Sequence, residues 1–186
     1  MRQVRGLLFL DYVRMLRAQK TARVAELLTT EDLAYLATKI EPNAWYPMDS
    51  FERLGNAILA LVANNDMFAV QLWGRYSASV LHKANPLLLE PNAPEETLHR
   101  FRVFRQTFFD FDALGVPLMH DGEAHIEVRC HMGLPAEEAA THQTMGFFEG
   151  LLELAGATDV RSKLAEKSWA GAPRTLIVIR WAAPPR

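Results

Sequence analysis

The sequence predicts an α+β fold, in which a mainly helical part, residues 1–112, precedes a β-β-α-β-β unit with a small antiparallel sheet, residues 113–186. Large apolar residues recur at helical spacing before residue 112, and they alternate with polar residues in much of the chain after it. A chain of 186 residues has the usual size of one domain, and no flexible linker separates the two parts. We therefore expect a single domain, residues 1–186.

Five helices are predicted in the first part, because apolar residues recur every three or four positions in five segments. The first residues of these segments lie near Val4, Thr30, Asp49, Phe68 and Glu95. Thr30 is typical of a helix cap with acidic residues in the first turn, and Asp49 or Ser50 can cap the third helix. Residues 43–47 are expected to be extended, because Pro47 disfavours helical angles at the residue before it.

After Gly115 the apolar pattern becomes alternating, which predicts strands. Asp121-Gly122 separates two such runs, residues 116–120 and 123–132, and this dipeptide suits the type I′ turn of a β-hairpin. A helix is predicted from Pro135, with Gly156 at its C-terminal end. Two further strands are predicted over residues 160–169 and 175–181, and they complete the β-β-α-β-β order.

Composition and charge exclude several kinds of protein. The formal net charge of −2 provides no general attraction for nucleic acid or for an anionic membrane. The single cysteine, Cys130, allows neither a disulfide within the chain nor a zinc site of several cysteines. No apolar run approaches the roughly 18 residues that span a bilayer, and the N-terminus resembles neither a signal nor a transit peptide. We expect a cytoplasmic protein without nucleic-acid binding or membrane insertion.

Standard catalytic signatures are missing from the sequence. It contains no G-x-G-x-x-G, no phosphate loop, no H-E-x-x-H helix and no G-x-S-x-G elbow. His125 and His131 would stand about 20 Å apart on a strand, too far to share a metal ion. We therefore expect a non-enzymatic domain with no metal and no cofactor. An enzyme of an unrecognised class stays an alternative.

Two predicted helices carry stripes of large apolar residues. The fourth helix carries Phe68, Leu72, Tyr76 and Val80 on one side. The fifth helix carries Leu98, Phe101, Phe104 and Phe108. His99 borders the second stripe, where it is either a partly buried histidine with one hydrogen bond or an axial haem ligand. The candidate ligand-binding residues are His99, Phe101, Phe104, Phe108, Trp73 and Tyr76.

Several strings of the sequence resemble those of one superfamily. Val-Arg-Gly-Leu-Leu at residues 4–8, which runs into residues 12–16, resembles the first helix of haem nitric-oxide-binding sensors. Leu-Trp-Gly-Arg-Tyr at 72–76 resembles their "I/L-W-x-x-x-G" helix with the glycine displaced, and residues 146–153 resemble the "G-L-I-E-G" helix. The superfamily also contains four-vinyl-reductase domains and Bet3-like trafficking subunits. Residues 45–54 look most like a family of unknown function expanded in myxobacteria.

The resemblance has a specific implication for His99. Leu98-His99 matches the Leu-His pair that carries the proximal haem ligand in the sensors, which implies that His99 is the axial ligand if haem binds. After the next strand the sensors carry Y-x-S-x-R, whose side chains hold the haem propionates. This chain has residues 130–134, Cys-His-Met-Gly-Leu, in that place, so it lacks the arginine and both hydroxyls of this charge-assisted clamp.

The main expectation is therefore a non-enzymatic cytoplasmic sensor or adaptor domain that binds a small hydrophobic ligand, a protein partner or both. A haem-based gas sensor that uses His99 is the alternative. The resemblance implies a homodimer, because stand-alone domains of this superfamily often pair. The output of such a sensor is expected to pass to an unidentified signalling protein, since no kinase, cyclase or DNA-binding segment is attached.

Overall fold

The computed structural model describes residues 1–19 and 21–182, and these form the α+β fold that the sequence predicts. The helices are α1 (Gly6–Ala18), α2 (Arg23–Leu27), α3 (Thr30–Ala37), α4 (Met48–Leu61), α5 (Met67–Ala84), α6 (Pro94–Phe104) and α7 (Ala136–Leu154). The strands are β1 (Gln3–Arg5), β2 (Trp45–Pro47), β3 (Leu114–His120), β4 (Glu123–Val128), β5 (Thr158–Glu166) and β6 (Thr175–Ala182). The end of the predicted second part, residues 183–186, lies outside the described residues.

A four-stranded antiparallel sheet has the order β3-β4-β6-β5. Both predicted hairpins are present, and Gly122 has the positive φ of 75° that its turn requires. The two hairpins join through β4 and β6, where Ile126 pairs with Ile177. This pairing places the second hairpin beside the first, so that α7 packs on one face of a continuous sheet.

A second, two-stranded sheet forms from β1 and β2, where Val4 pairs with Tyr46. The sequence predicted residues 43–47 as extended but placed Val4 in the first helix. Strands of three residues are too short to produce an alternating pattern.

This two-stranded sheet also explains why α4 begins at Met48 rather than after a cap at Asp49 or Ser50. The Met48 amide donates a hydrogen bond to the Arg2 carbonyl oxygen (2.9 Å) beside β1.

The start of α3 is fixed by a capping box one residue before the predicted cap. Thr29 Oγ1 accepts a hydrogen bond from the Asp32 amide, and Asp32 Oδ2 accepts one from the Thr29 amide. Asp32 is fully buried and also accepts two hydrogen bonds from the Arg53 guanidinium, at 2.6 and 2.9 Å. The cap thereby ties α3 to α4.

The hydrophobic core contains residues from both parts of the chain. Phe9 of α1 and Leu98 of α6 are fully buried, as are Ile126 and Ile177 of the sheet and Phe148 of α7. All belong to one connected cluster. Burial of such side chains is the main favourable contribution to folding.

Helices α5 and α7 lie in close contact along their glycines. A β-carbon at Gly74 would overlap the carbonyl oxygen of Gln143, and one at Gly146 would overlap that of Gln71. A β-carbon at Gly150 would lie 2.8 Å from the Arg75 carbonyl oxygen. The structure thus places the glycine pair at 146 and 150 against α5.

The apolar stripe predicted on the fourth helix faces outward on α5. The exposed fractions are 65% for Phe68, 50% for Leu72, 67% for Tyr76 and 40% for Val80. The buried side consists of Val70, Gly74, Ala78 and Leu81, and the small residues Gly74 and Ala78 lie where α7 approaches most closely. Among the described residues, no helix is long and apolar enough to cross a membrane.

Candidate functional site

An apolar cavity of about 160 Å³ lies between α1, α5, α6 and α7, beside the segment that leads into β3. Seven of the residues that line it are aromatic. Phe101 of α6 packs edge-on against Phe148 with ring centroids 4.9 Å apart, and the ring centroid of Phe147 lies 5.3 Å from that of Phe101. Contacts of this kind add about 0.5–1.5 kcal/mol each beyond burial and hold the rings in place.

The opposite part of the wall is formed by α1, α4 and α5. Tyr12 stacks on Phe51 with centroids 4.1 Å apart, and Trp73 lies 5.3 Å from Tyr12. All three side chains line the cavity. The aromatic rings therefore come from helices that are distant in the sequence, and the site exists only in the folded chain.

The polar groups of the wall are few and mostly uncharged. Tyr12 Oη donates a hydrogen bond to Gln143 Oε1 (2.9 Å), and burial raises the pKa of Tyr12. Burial also raises the pKa of the Cys130 thiol to about 12, so this group is neutral at physiological pH. Asp11 is the charged exception; its side chain is 48% exposed and lies 3.5 Å from the Arg14 guanidinium. A neutral, apolar ligand fits such an interior.

Three of the sequence-predicted ligand-binding residues line this cavity, namely Trp73, Phe101 and Phe108. Phe104 lies next to the wall, where its ring packs edge-on against Phe108 with centroids 5.2 Å apart. The shared stripe on the fifth predicted helix is the sequence signal that found Phe101 and Phe108.

His99 and Tyr76 lie elsewhere. His99 is exposed on α6, whereas Leu98 and Phe101 on the same helix are buried. Residues three apart share a helix face, so the face that buries Leu98 and Phe101 turns the residue between them away. Tyr76 is 67% exposed on the outer side of α5. The structure thus does not bring His99 or Tyr76 to the cavity.

Sequence reasoning missed the polar partners Tyr12 and Gln143. Tyr12 occupies an inward position of α1, and the apolar spacing of that helix could have found it. Gln143 gave no signal, because a glutamine within a helix is usually solvated. Cys130 is buried as well.

Haem binding requires an axial ligand for the iron and partners for two propionates. Among the described residues, the cavity wall contains no histidine, lysine or arginine. Cys130 is held as a neutral thiol rather than a thiolate, and no three metal-ligating side chains cluster in the described ranges. The apolar wall suits the faces of a porphyrin, but in this conformation the residues present do not fit iron ligation by His99.

Comparison with known proteins finds similarity in structure. Neither a protein-family model nor a curated protein matches the sequence. The Fe(II) unliganded H-NOX protein from K. algicida matches with a TM-score of 0.64, 12% identity and coverage of 98% of each chain. An H-NOX protein from S. oneidensis in the Fe(II)NO ligation state matches at 0.58, 11% identity and 95% and 98% coverage. A single-residue mutant of T. tengcongensis H-NOX matches at 0.59, 12% identity and 98% and 100% coverage.

These matches correct one expectation. The expectation of no cofactor is wrong, because the similar structures include Fe(II) and Fe(II)NO states and one that probes heme distortion in the H-NOX family. Within the superfamily that the sequence resembles, the matches support the haem nitric-oxide-binding members; its other members and the myxobacterial family stay predictions. The described residues of this chain adopt the H-NOX fold.

Proposed function

We propose that this chain is a ligand-binding sensor domain whose ligand occupies the apolar cavity. The observation that carries the proposal is an aromatic wall with a neutral Tyr12–Gln143 pair, built inside an H-NOX fold. The expectation of a non-enzymatic domain agrees with this fold, since H-NOX domains are gas sensors rather than enzymes.

Haem is the first ligand to test, because the similar structures favour it over an unspecified small molecule. The test is an absorption spectrum of the purified protein with and without added haemin. A Soret band with one haem per chain supports a haem-based sensor. The His99→Ala variant then identifies the iron ligand. Loss of the Soret band would show that His99 binds the iron after a rearrangement of α6, and a retained Soret band would show that another side chain binds it. A protein that does not take up haemin excludes haem as the ligand.

A small apolar molecule is the second candidate, and the size of the cavity favours it. Apolar cavities of about 150 Å³ are known to hold benzene or xenon. Native mass spectrometry of the purified protein would detect a co-purified molecule, and xenon-dependent shifts of NMR signals would locate the site. A chain that binds neither haemin nor an apolar probe contradicts the proposed function.

A matched pair of variants tests whether the cavity is the site. Ser77 and Ser79 both lie on α5 and both donate hydrogen bonds to carbonyl oxygens of the preceding turn, but only Ser77 lines the cavity. Ser77→Phe is expected to fill the cavity and abolish binding of haemin or of the apolar probe. Ser79→Phe is expected to leave binding unchanged. Equal effects of the two variants would place the ligand elsewhere.

A further inference from the structure

Helix α5 presents an uninterrupted apolar surface to the outside, which we call the α5 stripe; it consists of Phe68, Leu72, Tyr76 and Val80. The exposed side of a surface helix normally carries polar and charged residues. Here the four positions follow one another at intervals of four, so they form a single row along the helix. The stripe is therefore an unpartnered packing ridge.

The stripe carries no charge of its own. The only lysine and arginine of α5 are Lys83, in its last turn, and Arg75, which pairs with Glu149 and Glu153 of α7. A charged partner such as nucleic acid or a strongly acidic peptide finds no complementary group along the row. An apolar surface of similar length is the partner that fits.

We propose that the α5 stripe is the contact between two copies of this chain, packed antiparallel about a two-fold axis that crosses the stripe between Leu72 and Tyr76. In this arrangement Phe68 of each copy faces Val80 of the other, and Leu72 faces Tyr76. Each pair joins one aromatic and one aliphatic side chain, so the volumes complement each other along the row. Rows of i±4 side chains on two helices interdigitate in the commonest class of helix packing, and self-complementary surfaces generate two-fold dimers.

The charges at the two ends of α5 favour the same arrangement. Asp66 caps the N-terminus, and His82 and Lys83 lie in the last turn. Antiparallel packing brings the Asp66 end of each copy towards the Lys83 end of the other, and it also sets the helix dipoles in opposition. A parallel arrangement would bring like ends together. The charge distribution therefore selects the antiparallel dimer.

The area of the α5 stripe sets the expected affinity of the dimer. From the exposed fractions, the four side chains present on the order of 400 Å². This is below the roughly 800 Å² that each partner buries in a standard interface, so the dimer is expected to depend on concentration. Val80 also lines the cavity, so the contact adjoins the proposed ligand site.

The first test is the molar mass of the full chain, measured by analytical ultracentrifugation over a wide range of concentration. The wild type is expected to shift from the monomer mass to the dimer mass, and Leu72→Lys and Tyr76→Lys are expected to remain monomeric. Val103→Lys is the matched control, since Val103 is 73% exposed on α6, outside the stripe. A monomer at every concentration overturns the proposal, and so does a dimer that persists in both stripe variants.

The second test fixes the register. Position 72 faces position 76 of the other copy. With a mild oxidant added to accept the two electrons of each disulfide, an equimolar mixture of Leu72→Cys and Tyr76→Cys chains is therefore expected to form mixed disulfides several-fold faster than either chain alone. Cys130 is buried and does not compete. Faster disulfide formation within either single variant would overturn the antiparallel register. Neither test involves the ligand, so their failure leaves the proposed function standing.

Discussion

Cys130 illustrates how burial sets the chemistry of a single residue. Its side chain lies in the cavity wall, and the residue is only 5% exposed. Burial, and then the charge of Glu137, raise the pKa of the thiol to about 12, although Arg2 acts in the opposite direction. Since the thiolate is the reactive form, the folded chain holds this cysteine inert.

We expect a thiol reagent at pH 8 to label Cys130 only as fast as the chain unfolds. The rate of labelling should rise steeply through the unfolding transition in urea. With an aromatic disulfide as the thiol reagent, the absorbance of the aromatic thiol that it releases measures this rate. Rapid labelling of the native protein would contradict this account.

Asp32 shows the opposite shift. Burial by itself raises the pKa of this carboxyl group, but hydrogen bonds from Arg53, Thr29 and Ser50 outweigh burial and hold the pKa below its usual value. A lowered pKa in the folded state stabilises the fold above the unfolded-state pKa of about 4, and this contribution is lost as the pH falls through the folded-state pKa.

The Asp32→Asn variant is expected to lower the free energy of unfolding at pH 7 by about 2 kcal/mol, because it removes a cap acceptor and the partner of Arg53. The difference from wild type should narrow as the pH approaches 3. Urea unfolding at several pH values measures both quantities. A difference that stays constant between pH 7 and pH 3 would show that the charge of Asp32 is unimportant.

At the scale of elements, α5 and α7 show how glycines determine helix packing. Their backbones approach at Gly74, Gly146 and Gly150, and beside this contact the buried Glu149 accepts hydrogen bonds from Gln71 and Arg75. The close approach places Gly74 and Ala78 of α5 directly against α7. The row of Phe68, Leu72, Tyr76 and Val80 lies on the other side of α5 and faces outward.

Gly146→Ala is expected to destabilise the chain by more than about 3 kcal/mol, because its β-carbon would overlap the Gln71 carbonyl oxygen and force the helices apart. Gly55→Ala in α4 is the control. The β-carbon there would meet a ring atom of Tyr12 at 3.2 Å, and the gain in helix propensity of about 1 kcal/mol offsets this contact. Thermal unfolding followed by circular dichroism compares the stabilities of the two variants. Equal losses of stability in Gly146→Ala and Gly55→Ala would contradict the role of Gly146 in the contact between α5 and α7.

At the scale of the whole molecule, the cavity links ligand binding to stability. A ligand that binds only the folded chain stabilises it by about 2.7 kcal/mol at a concentration 100 times its Kd. For a chain of 186 residues this corresponds to an increase in Tm of about 5–11 °C. We expect haemin or an apolar probe to produce this increase in the wild type and not in Ser77→Phe, as measured by thermal unfolding. An increase of the same size in Ser77→Phe would place binding outside the cavity.

Local sequence patterns predict the order of the main elements and three of the aromatic residues in the cavity wall, Trp73, Phe101 and Phe108. Helical spacing and alternation are set by residues close together in the sequence, so they predicted the helical part, both hairpins and the apolar stripe that contains Phe101 and Phe108. The resemblance of short strings also pointed to the haem nitric-oxide-binding proteins, whose fold the chain shares.

The packing of distant elements, by contrast, sets which side of each helix is buried and which polar groups meet in the cavity. An apolar row on α5 satisfies helical spacing whether it faces inward or outward, and the contact of Gly74 with α7 turned it outward. His99 borders an apolar stripe in the sequence, but burial of Leu98 and Phe101 leaves it exposed. These outcomes depend on the packing of elements distant along the chain, which local periodicity does not encode.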